Sequence, residues 1–110
     1  SHNAYNMITG AYIVPKSGVL TLSANVLFTQ ALWNAGNAVE MRVYKNDIII
    51  RREIFNAQNT ISFDFQGRIS LTGLSVNVND KIEVMIYHNR GAATEIVNTA
   101  GYSILSIKID

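Results

Sequence analysis

Apolar and polar side chains alternate with a period of two through most of this chain, and that period belongs to strands with one buried face. After Gly18, the residues Leu20, Leu22, Ala24, Val26 and Phe28 share one face, while Thr21, Ser23 and Asn25 share the other. Val39, Met41 and Val43 alternate with Glu40, Arg42 and Tyr44, and Ile48, Ile50 and Ile54 continue the theme through Arg51 and Glu53. Further on, Ile61, Phe63 and Phe65 flank Ser62 and Asp64; Ile82, Val84 and Ile86 flank Glu83, Met85 and Tyr87; Leu105, Ile107 and Ile109 close the series. Turn chemistry separates these runs. Lys45-Asn46-Asp47 and Asn79-Asp80-Lys81 offer residues that tolerate positive φ, Gly73 reads as a break, His88-Asn89-Arg90-Gly91 reads as a polar turn, and Pro15 marks a turn before a central strand. Only residues 29–39 are helix-friendly, and Asn34, Gly36 and Asn37 interrupt them, so they read as a long loop with room for one helical turn. Short strands at this spacing predict an all-β sandwich or barrel.

A chain of 110 residues supports one core, so residues 1–110 are expected to form a single domain. The chain opens Ser1-His2, which reads as a processed or excised fragment, with residues 1–4 expected to be flexible or tag-derived. Hydrophobic residues make up 48% and charged ones 15%, against roughly 25% charged in an ordinary soluble domain. This excludes intrinsic disorder and leaves an apolar surplus to place. A net charge of +1 provides no field for nucleic acid, and the absence of cysteine excludes disulfides and thiolate chemistry. No apolar run is long enough to span a bilayer as a helix, and no signal-peptide pattern is visible.

Four landmarks in order carry a family resemblance. Tyr5-Asn6, Thr9-Gly10-Ala11-Tyr12, Pro15 and Gly18-Val19-Leu20-Thr21-Leu22-Ser23 lead into Val26 and Phe28. Val43-Tyr44-Lys45-Asn46-Asp47 follows, then the stretch from Leu71 to Val84 around Asn79-Asp80-Lys81-Ile82, then Tyr102-Ser103-Ile104-Leu105. Together they resemble the globular head of the complement first component's q subunit, within the tumour-necrosis-factor-like jelly-roll superfamily. Asp47 and Asn79 stand where that pattern has glycine, as does Ile104, and Val19 and Leu22 stand where it has aromatics. These departures and the short loops fit a distant bacterial or bacteriophage member. The resemblance implies a jelly-roll sandwich of about eight to ten antiparallel strands, assembled as a homotrimer on a stalk, that binds other molecules without catalysis.

Candidate chemistry is sparse. No nucleophile elbow, metal-binding pair or phosphate loop occurs. Some relatives carry calcium, for which Asp64 and Asp80 are the available acids, but solvated strand-end acids are the preferred reading, and no metal or cofactor is expected. For ligand binding the candidates are Trp33, Asn34 and Asn37 in one loop and His88 and Arg90 in another. Tryptophan can stack on a sugar while amides bond its hydroxyls, although burial of Trp33 in the core or a subunit seam is the preferred reading. Arg52 is expected at a sheet end or interface, paired with Glu53 or Glu40 across subunits. Apolar residues on the second face of a strand (Val19, Leu27, Ile49, Met85, Tyr87 and Ile104) are the candidate trimer interface. The expected role is a recognition head of a bacterial, spore-surface or phage fibre, extracellular or on the virion, binding a cell-surface ligand such as a saccharide. It involves no nucleic acid and no membrane insertion. The alternative is a structural trimerisation or fibre-capping module without its own ligand.

Overall fold

The computed structural model describes residues 3–6, 11–28, 30–90 and 104–110. Within them lie ten strands and no helix: β1 (Asn3–Asn6), β2 (Tyr12–Ile13), β3 (Gly18–Leu27), β4 (Ala31–Trp33), β5 (Ala38–Lys45), β6 (Ile48–Asn56), β7 (Ile61–Phe63), β8 (Gln66–Val76), β9 (Lys81–His88) and β10 (Ile104–Ile109). All pair antiparallel. The larger sheet runs β1-β9-β5-β6 with β2 also on β9; the smaller runs β10-β3-β8; β4 and β7 form a separate pair.

The alternation translates directly into a sandwich-like core. Leu20, Leu22, Ala24, Val26 and Ile69 of the smaller sheet meet Val39, Met41, Val43, Ile82, Val84 and Ile86 of the larger one in a single buried cluster. Leu105, Ile107 and Ile109 pack partly buried against it. Gly18 begins β3 because a Cβ there would collide with the backbone carbonyl of Asp110, which accepts from the Val19 N–H at 3.0 Å.

Several expectations need correction. The segment read as a loop contains β4, whose residues pair with β7 from Ala31↔Phe63 to Trp33↔Ile61. Gly73 does not break its strand; with φ 74° it sits in a bulge of β8, where Leu20 faces Leu74 but Leu22 faces Leu71. A second bulge falls at Ile50, because Val43 faces Arg51 while Tyr44 faces Ile49. It reverses the alternation of β6, so Ile48 and Ile54 lie on opposite faces. Arg52 finds Glu40 of its own chain (3.6 Å), and Arg51 pairs with Glu53 (2.7 Å).

The two turns predicted from Asn and Asp are tied together. Asn46 (φ 50°) and Asp47 (φ 68°) form the two-residue turn between β5 and β6, and Asn79 has φ 74°. Asn46 Nδ2 donates to Asp80 Oδ1 (3.0 Å), Asn46 Oδ1 accepts from the Lys81 N–H (2.9 Å), and Asp80 Oδ2 accepts from the Asn77 N–H (2.8 Å). The Asn77 N–H and the Asn46 amide hold the Asp80 carboxyl below the ordinary carboxylate range. A depressed carboxylate contributes stability above its unfolded pKa, and that contribution disappears as pH falls through the folded value. Asp80→Asn is therefore expected to be less stable than the parent in urea at neutral pH. The gap should close below about pH 4; an equal gap at both pH values would place its source outside the charge.

Candidate functional site

Loops at one end of the sandwich bring together most of the residues singled out for ligand binding. The Gly36 N–H donates to the Ala57 carbonyl (3.0 Å), and the Ala57 N–H donates to the Asn37 carbonyl (2.8 Å), so the 34–37 turn is stitched to the segment after β6. Asn37 Oδ1 accepts from the Asn34 N–H (2.7 Å), and Asn89 Oδ1 accepts from the Ala38 N–H (2.7 Å), which draws in the end of β9. Arg90 Nε donates to the Leu32 carbonyl at 2.7 Å. Loops far apart in the chain thus share one end, held by Asn and Arg side chains bonding to backbone.

Beneath them lies an aromatic cluster. The Trp33 ring is fully buried, with Phe65 at 4.6 Å, Phe28 at 5.6 Å and His88 at 6.0 Å between centroids. The Arg90 guanidinium stands 5.9 Å from its centre. Buried this way, Trp33 cannot stack on a sugar, and it supports the loops from below. His88 is likewise not a turn residue. It ends β9, is 6% exposed, and its Nδ1 accepts from the Arg90 N–H at 3.3 Å. Of the five candidates, Asn34, Asn37 and Arg90 keep access to solvent.

Beside the cluster an open groove of about 740 Å³ runs between the end of β6 and the β7–β8 connection. Phe55, Phe63 and Phe65 contribute aromatic surface, and Asn56, Gln58, Asn59, Asp64 and Gln66 contribute polar groups. Phe63 packs on Phe65 at 5.2 Å, so the groove floor continues the aromatic cluster. A volume of this size lies in the range of small-molecule sites, roughly 300–1,000 Å³. Sequence reasoning missed this groove. The available signal was the amide-rich run Asn56-Ala57-Gln58-Asn59 between Phe55 and Phe63-Asp64-Phe65.

The candidate interface residues divide between two surfaces. Ile49, Met85 and Tyr87 share the outward face of the larger sheet, since Ile49 faces Tyr44, Met85 faces Arg42 and Tyr87 faces Glu40. Val19, 45% exposed, lies on the opposite side of the sandwich, and Ile104 is placed opposite Asn25 on the smaller sheet. Leu27, the last residue of β3, is a correction: it is buried within the protomer and offers no outward face.

The outward face of the larger sheet is strongly cross-bonded. Arg42 bonds the Glu40 carboxylate, donates from Nη1 to Tyr44 Oη (3.1 Å) and lies 4.1 Å over the Tyr87 ring. The Tyr44 and Tyr87 hydroxyls are 3.0 Å apart. Bonds to Tyr44 and then Glu40 raise the Arg42 pKa. Burial pushes the Tyr44 phenol up, but the bonds from Tyr87 and Arg42 outweigh it and leave the group below its ordinary value. Tyr87 is raised, first by its bond to Tyr44 and then by burial. A small hollow of about 220 Å³ opens here between Tyr44, Asp47, Glu83, Met85 and Tyr87. Among the described residues, no three His, Asp or Glu side chains gather as a metal site. No protein-family model matches this chain, and no curated protein matches its sequence.

Proposed function

We propose that this chain is a non-catalytic recognition head of the complement-q-like, tumour-necrosis-factor-like jelly-roll type. In this reading it acts as a homotrimer on a bacterial or spore surface, or on a phage fibre, and binds a cell-surface saccharide. The observation that carries the reading is the convergence of separate loops on one end of the sandwich, beside a groove with an aromatic floor and amide walls. Aromatic surface suits the apolar face of a sugar ring, and amides donate to and accept from hydroxyls. The jelly-roll wrap is supported by nested antiparallel pairing, with β3 beside β10 and β5 beside β9. The trimer is supported by the outward face of the larger sheet, where Ile49 is exposed and Met85 and Tyr87 are half-buried. Three copies of a shallow site on one rigid head would multiply weak single-site binding through avidity.

The test is adsorption of the wild-type assembly to host cells and to arrayed glycans, alongside a Gln58→Ala, Asn59→Ala double variant. The variant is expected to lose at least about tenfold in binding while its mass in solution stays unchanged. Wild-type protein that binds neither cells nor glycans would favour the structural trimerisation or fibre-capping module instead.

A further inference from the structure

We infer that Asp64 makes the groove select uncharged sugars and turn away anionic ones, an inference that rests on the saccharide reading above. Asp64 is an exposed groove residue flanked in sequence by Phe63 and Phe65. Glu40, Asp47, Glu53, Asp80, Glu83 and Asp110 each lie within ion-pair distance of a lysine or arginine. Asp64 alone among the described carboxylates does not, and it makes no hydrogen bond within them. Its acceptor sites are therefore open to a ligand.

Charge then sets the class of ligand. The described residues lining the groove include no lysine and no arginine, and Asp64 is their only ionisable group. A sulfated, sialylated or phosphorylated sugar seated there would bring its negative charge toward a carboxylate with no cation to offset it. A neutral sugar offers hydroxyl donors to the same carboxylate, in charge-assisted hydrogen bonds stronger than neutral ones. The amides of Asn56, Gln58, Asn59 and Gln66 can serve the remaining hydroxyls.

The experiment is a glycan array bearing neutral cores beside the sialylated and sulfated forms of the same cores, read with wild type and Asp64→Asn. Wild type is expected to bind the neutral cores at least about tenfold more tightly than their anionic forms. Asp64→Asn keeps one acceptor oxygen, so the gap should fall to within about threefold while neutral binding is nearly preserved. Anionic forms bound as tightly as neutral ones by wild type, or a gap unchanged in Asp64→Asn, would overturn the role of Asp64 and leave the saccharide reading standing. Binding to neither set would overturn both. Coincident unfolding curves for the two proteins would show that the substitution acts on recognition alone.

Discussion

Trp33→Ala is expected to lower the unfolding free energy by about 3–5 kcal/mol, the cost of emptying a large aromatic site in a closed core. A small domain has only about 5–15 kcal/mol in total, so a substantial share of the stability would go. Phe28, Phe65 and His88 all border that ring, and none can collapse into the space without leaving its own strand or strand end. Trp33→Phe should cost much less. It keeps the ring contacts and deletes the indole N–H, which has no hydrogen-bond partner among the described residues. Urea unfolding of both variants makes the comparison. Because Trp33 is the single tryptophan, the wild-type emission tests its burial separately: it should be blue-shifted and shielded from acrylamide in the folded protein. A variant that lost glycan binding with unchanged stability would instead return Trp33 to the role of a stacking platform.

Met85→Asp is expected to dissociate the proposed trimer. Met85 is half-buried in the middle of the larger sheet's outward face, across from Arg42. A carboxylate there is tolerable in a lone protomer, where Arg42 and water can reach it. Covered by a neighbouring subunit, it would be a desolvated charge introduced at every interface, which costs several kcal/mol each. Light scattering should give about three times 12.2 kDa for the wild type and a single protomer mass for the variant. Val19→Asp, on the far side of the sandwich, should leave the mass unchanged. The opposite pattern would move the interface to the smaller sheet, and a monomeric wild type would remove the trimer.

The strands of the core were legible because each has one buried face, so a period of two survives in the residues. Leu20 to Val26, Val39 to Val43 and Ile82 to Ile86 all bury as their alternation implies. Asp47 and Asn79 were legible for a different reason: few residues other than glycine tolerate positive φ, and both positions have it. What stayed hidden depends on contacts distant in sequence. Ala31–Trp33 is too short to display any period, and it is a strand only because Ile61–Phe63 lies beside it. His88 reads as polar and therefore exposed until the aromatic rings around it are known. The bulge at Ile50 is set by pairing with β5, and no local pattern announces it. The groove is hidden for a different reason: its lining residues all lie between Ile54 and Gln66, but whether that stretch folds into a hollow depends on how β6, β7 and the start of β8 are placed, which no local pattern states.

The position of β10 has a consequence for how the protein is made. Ile104–Ile109 runs along β3, with Ile109 opposite Leu20 and Ile104 opposite Asn25. That partnership joins segments translated at opposite ends of this stretch, so no nascent chain ending before Ile104 can close the smaller sheet. Until then, one edge of β3 lacks its hydrogen-bonding partner. Long-range pairing of this kind also folds slowly, because a large loop must close before the contacts form. Closure of the smaller sheet therefore waits on Ile104–Ile109, and a nascent chain still lacking them is the form most exposed to mispairing with its neighbours on the polysome.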